Sequence, residues 1–167
     1  MVAVAERLSS RVNWVVERIC AALAVILVLD VWLGVFVRYV WPLPITFMEE
    51  AARYLMIWMA LLAVSAGIVH REHIGVLILF DALPQAWRRR LLLLLDLLAL
   101  AFFLFLLIYG IGLVQSGANR LTMIYGLSKA LPFASVPVAA ALAVFQTVCV
   151  MLRDQAAMRP SEPGAAA

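Results

Sequence analysis

Apolar residues fall along this chain in four long blocks, and charged residues gather where the blocks end. The apolar positions are continuous and do not alternate with polar ones. A helix needs about 20 apolar residues to cross a bilayer. Blocks of that size occupy residues 19–37, 47–69, 91–114 and 133–152. The pattern predicts an all-α integral membrane protein with four transmembrane helices in one domain, residues 1–154. Pro132 just precedes the fourth block and Pro137 falls in its early turns, positions that suit a helix start. Residues 155–167, ending "RPSEPGAAA", are predicted to be a disordered tail.

A fifth apolar run, Ile74–Phe80, is too short to cross. Trp87 and Arg88–Arg90 follow it. The run is predicted to lie as a short interfacial segment on the inner leaflet, between the second and third spans. The other reading is a helical extension of the second span into the cytoplasm.

Composition agrees with the pattern. Of 167 residues, 66% are hydrophobic and 14% charged, and the mean hydropathy is +1.05. Soluble domains sit near half apolar and a quarter charged. The net charge of +3 is small, and the arginines flank apolar blocks. They read as topology signals, with no nucleic-acid partner expected, and membrane lipid is expected around the spans. Nine of the basic residues lie in the N-tail, the second loop and the C-tail; four lie in the first and third loops and their flanks. The positive-inside rule then places both termini in the cytoplasm. The N-terminus, charged as far as Arg18, lacks the layout of a cleaved signal peptide. Cys20 and Cys149 form no C-x-x-C and are expected to be reduced. No Walker loop or G-x-G-x-x-G occurs. No enzyme activity, cofactor or metal centre is expected. His70 and His73 share a helix face, but haem would need histidines on facing helices and zinc would need further ligands. Asp96 can pair with one of Arg88–Arg90 at the third helix start.

The chemistry concentrates in "ITFMEEAARYLMIWMALL", residues 45–62. Thr46 can serve as an N-cap with Glu49 three residues on, a capping box, and Pro42 and Pro44 stop the helix from starting earlier. Glu49 and Glu50 are then four and three residues from Arg53, within reach on one face. Arg53 lies six residues into its span and Asp30 seven residues before the end of the preceding one, both roughly 10 Å deep from the outer face. Charges in a bilayer are usually paired or face protein. Asp30, Arg53, Glu49 and Glu50 are therefore expected to form a polar cluster that acts as structural glue. The plainer reading is that these charges only start a helix, and a third is that Asp30 meets another subunit. Small residues at Ala60, Ala63 and Gly67, and "AAALA" at 139–143, let another helix approach closely. Trp58, near mid-membrane, reads as buried packing. These features suit a partner protein or packing of the chain on itself.

Residues Arg38 and Tyr39, then Phe47, Glu49, Glu50, Arg53 and Trp58, then Gly67, Arg71, His73, Ile74 and Val76 resemble the small membrane subunit of tripartite ATP-independent periplasmic (TRAP) transporters, the DctQ-like family. Phe47 stands where that family commonly has Trp, and Leu77 where an acidic residue commonly follows. The resemblance implies a four-span subunit of the bacterial inner membrane that is not itself the transport channel. It implies a large permease subunit as partner, carrying the substrate and sodium sites, and a periplasmic substrate-binding protein that delivers an organic acid. It implies assembly roles for Arg38 in the outer polar cluster, for Trp58, Ala60 and Gly67 in packing, and for Arg71 and His73 in a cytoplasmic loop. Two other classes compete: a self-contained small proton-coupled transporter of four helices, and a membrane redox subunit or anchor.

Overall fold

The computed structural model describes residues 2–40, 47–70, 84–122, 126 and 128–157. Helix α1 spans Val2–Tyr39, α2 Phe47–His70, α3 Gln85–Ala118, α4 Ala130–Phe133 and α5 Ser135–Ala157. Four of these helices are long and apolar enough to cross a membrane. Each of the four apolar blocks has become a helix, as their length requires. The helices outrun the blocks: α1 and α3, at 38 and 34 residues, are about 57 and 51 Å long against a hydrocarbon core of about 30 Å. Hydrogen bonding inside a helix does not stop where hydrophobicity does. For the same reason α5 runs to Ala157, three residues past the boundary set at Asp154. The predicted interfacial run Ile74–Phe80 lies outside the described residues, as does the tail from residue 158.

Helix α5 is central, packing against α1, α2 and α3. Its buried face is mostly small: Ala139, Ala140 and Ala143, with Gln146, Thr147, Cys149 and Val150. Leu62, Ser65 and Ile68 are the fully enclosed residues in the second half of α2. Ile68, Ala143 and Val150 form one apolar cluster, with Phe103 of α3 against it. Three of the small residues of "AAALA" thus pack within the chain.

Helix α3 reaches α5 and α4 through glycines. A Cβ on Gly110 would lie 3.1 Å from Pro137 Cδ, and one on Gly117 only 2.6 Å from Phe133 Cδ2. Seven residues separate these glycines, two helical turns, so both fall on one face. Past Gly117 the chain turns back on itself. Lys129 N–H donates to the Arg120 carbonyl (2.8 Å), and the Ser128 hydroxyl donates to the Ala118 carbonyl (3.1 Å), satisfying an orphan acceptor at the end of α3. Gly126 takes a left-handed backbone (φ 61°) in this turn. Pro132 lies in α4 and Pro137 in the first turn of α5, where a missing N–H costs nothing.

Helices α1 and α2 pack as an antiparallel pair. The least exposed positions of α1 include 9, 13, 16, 20, 23, 27, 30, 34 and 37, steps of four and three that form one seam. The register is set at three heights. Gly34 meets Met48, the Cys20 thiol faces the Met59 carbonyl (3.9 Å), and Asn13 reaches His70 (3.2 Å). From Ile19 onward and away from the seam, α1 is bare and mostly apolar, with Trp32 75% exposed. The long outer face of α3 is equally bare, including Leu98, Phe105 and Ile108. Only lipid or another membrane protein can cover such surface at low cost.

Candidate functional site

Charged and polar side chains collect at the two ends of the α1–α2 pair. At the end where α1 finishes and α2 begins stand Asp30, Arg38, Glu49, Glu50 and Arg53. The register puts Asp30 level with residues 51–53 of α2, so Asp30 and Arg53 lie at similar heights on the pair. Their side chains do not meet. Asp30 lies on the inward seam, and its Oδ2 is buried without a hydrogen-bond partner. Arg53 is exposed on the outer side of α2. No ion pair joins Arg53 to Asp30 or to Glu49 among the described residues. The reason is angular: similar depth does not fix direction around a helix axis.

Glu49 and Glu50 are separated by the same geometry. Neighbours on a helix point about 100° apart. Glu49 is exposed, whereas Glu50 is buried and accepts a short hydrogen bond from the Tyr54 hydroxyl, one turn on. The spacing gave Glu49 a capping role and offered Glu50 only Arg53, three residues on. The signal for Tyr54 was present as a spacing of four, but attention to charged partners passed over a phenol. Thr46, the other half of the expected capping box, lies outside the described residues. Arg38 is exposed in the last turn of α1.

Along α2, Ala60 is exposed while Trp58 and Gly67 are half-buried. Glu49, Arg53, Met56, Ala60 and Ala63 form one open stripe on this helix. Arg71 and His73 lie outside the described residues.

The opposite end holds a polar junction that sequence reasoning missed. The Ser9 hydroxyl donates to Gln146 Oε1 (2.5 Å), and Gln146 Nε2 donates to the Ser9 carbonyl (3.4 Å). Gln146 is fully buried. Asn13 Nδ2 donates to Glu17 Oε1 (2.7 Å), and His70 Nε2 lies 2.9 Å from the same oxygen. The junction ties α1, α2 and α5 together. Its sequence signal was the polar pair Ser9 and Asn13 on the four-three repeat of α1, hidden because the repeat starts outside the apolar block.

Among the described residues no three His, Cys, Asp or Glu side chains are placed to hold a metal ion. The polar groups at the His70 end join helices, whereas the Tyr54–Glu50 bond at the other end lies within α2.

Comparison with known proteins bears on most of this architecture. Residues 27–157 match the family model described as tripartite ATP-independent periplasmic transporters, DctQ component. The match begins in the second half of α1 and ends with α5, so it includes Asp30, Arg38, Glu49, Glu50 and Arg53. A Haemophilus influenzae protein that bears the name of a TRAP transporter small permease protein is 31% identical over 127 residues, covering 75% of this chain and 78% of that protein.

Proposed function

The chain belongs to the DctQ family, the small-subunit component of TRAP transporters, and on that premise we propose that it is a fixed scaffold for a large permease subunit in sodium-coupled uptake of organic acids. The observation that carries the scaffold reading is the distribution of polar groups. Ser9, Asn13, Glu17, Gln146 and His70 are spent on holding the helices of this chain together. The other enclosed residues of α2 and α5 are Leu, Ile, Ala, Val, Met and Cys with a few hydroxyls and Glu50, which Tyr54 engages. Such packing, among the described residues, supports the reading that transport falls to a partner. The bare faces of α1 and α3 offer that partner ample area.

The outer cluster fits an assembly role. Asp30 has a buried oxygen awaiting a donor, and Arg53 is exposed beside the open stripe of α2 that includes Ala60. A helix of the large permease that offers an acceptor to Arg53 would complete what this chain leaves undone, with Arg38 and Glu49 at the rim. Trp58 and Gly67 support the same helix from within. Arg71 and His73 are assigned to the cytoplasmic loop. The orientation that goes with this reading puts both termini on the cytoplasmic side of the bacterial inner membrane, with a periplasmic substrate-binding protein docking at the outer face.

Copurification and reconstitution test it. A tagged chain is expected to bring down a much larger membrane protein of many spans in stoichiometric amount. Alone in liposomes it is expected to move no organic acid, with or without a sodium gradient. Uptake by the purified chain alone would instead favour a self-contained small transporter.

A further inference from the structure

A row of cations lies on the part of α1 that precedes its apolar block. Arg7, Arg11, Trp14 and Arg18 step along the helix by four, three and four residues, and all are exposed. They form a single face. The buried residues Ser9, Asn13 and Val16 lie on the opposite side, since two residues turn a helix by about 200°. The packed side of this segment therefore serves the polar junction, and the free side is basic and aromatic. No carboxylate pairs with Arg7, Arg11 or Arg18 among the described residues. Glu17, the nearest acid to Arg18 in sequence, is engaged by Asn13 and His70.

Two markers fix the height of this row. The apolar block of α1 starts at Ile19, and Asn13 contacts His70, just past the apolar block 47–69. Residues 11–18, about 10 Å of helix, therefore run from the edge of the hydrocarbon out through the headgroup layer. Arg18 turns back toward the N-terminal end, with its guanidinium carbon 3.7 Å from the centroid of the Trp14 ring. That is the direction a snorkelling arginine takes, out of the hydrocarbon toward the phosphates. It brings the Arg18 charge to the level of Trp14, less than a turn from Arg11.

We propose that Arg11, Trp14 and Arg18 form a binding site for the phosphate of an anionic glycerophospholipid, in the leaflet at the N-terminal end of α1. Guanidinium forks match phosphate oxygens in pairs. Trp14, at interfacial depth, holds the Arg18 plane by cation–π contact and offers its other edge to the acyl–glycerol region. Arg7, a turn further out, adds attraction without contact. The site stands on α1 alone and is independent of the permease assignment.

The test is lipid competition on the full-length chain in nanodiscs of phosphatidylcholine with increasing phosphatidylglycerol, followed by native mass spectrometry of retained lipid. The wild-type chain is expected to retain phosphatidylglycerol preferentially and saturably. With roughly a fivefold contribution per arginine, R11Q/R18Q is expected to weaken that preference about 25-fold. R38Q, at the far end of α1, is expected to keep it. R11K/R18K, which preserves charge and membrane orientation, is expected to show an intermediate loss and serves if the glutamine pair does not insert. The proposal is overturned if wild type shows no anionic preference, if R11Q/R18Q or, in its place, R11K/R18K leaves it intact, or if R38Q lowers it equally. Arginines acting only as topology signals predict no saturable site.

Discussion

Of the glycines on α3, Gly117 leaves the least room for a side chain, and it permits a controlled experiment. A methyl group there would lie 2.6 Å from Phe133 Cδ2, 3.1 Å from Phe133 Cε2 and 3.2 Å from the backbone nitrogen of Ala130. Real carbon contacts stand at about 3.5–4.0 Å. The ring cannot simply turn away, because the Ala130 nitrogen blocks the same space and belongs to the backbone. Gly117→Ala should therefore push the end of α3 from α4 by the better part of an ångström. Overpacking of this kind costs about 1–3 kcal/mol. Alanine returns up to about 1 kcal/mol of helix propensity, less in a last turn. The expected net loss is about 1–2 kcal/mol. Gly112 is the control, since a methyl there meets nothing within 4 Å. Gly112→Ala keeps the propensity gain without the clash, so it should be neutral or slightly stabilising. Both can be measured by titrating the purified chain from mild detergent into SDS and following helicity. Equal stability of the two variants would refute the reasoning, because the close approach of α3 to α4 would then carry no energy.

Three further outcomes follow from the polar groups. Gln146→Leu removes both hydrogen bonds to Ser9, and a double-mutant cycle with Ser9→Ala should show coupling of about 1 kcal/mol, near the upper range for polar contacts between membrane helices; additive losses would show that the junction is incidental. Tyr54→Phe deletes the donor to the buried Glu50 and should cost about 1.5–3 kcal/mol in the same SDS titration if Glu50 is ionised, with a clearly smaller effect in a Glu50→Gln background. Asp30→Leu removes a buried oxygen that has no partner, so the isolated chain should gain about 1–3 kcal/mol, whereas copurification with the large permease should weaken; a variant that is more stable and assembles as well as wild type would mean that Asp30 has no role between subunits.

Much of this protein was legible one residue after another. The four spans follow from run length because a bilayer offers backbone groups no other partner than their own helix. Small residues at 139–143 announced a close helix contact, and the motif residues from Arg38 to Trp58 pointed to the DctQ family. The sequence could not say which helix the alanines would touch. Spacing along one chain leaves open which neighbour arrives, and the structure shows Ala139, Ala140 and Ala143 enclosed within the chain, beside α2 and α3.

The outer cluster divides in the same way. Depth is a one-dimensional quantity, fixed by 1.5 Å per residue, so Asp30 and Arg53 came out level from the sequence alone. Whether they meet depends on rotation about two helix axes, which is decided by where α5 sits. Because α2 turns its broad face to α1 and α5 together, Glu50 goes inward to Tyr54, and Arg53 goes outward. Membrane insertion and helix number belong to the sequence, since each is set by local hydrophobicity. The choice of which charges are satisfied inside the chain and which are left for a lipid or a partner belongs to the tertiary structure, since it needs the third helix in place.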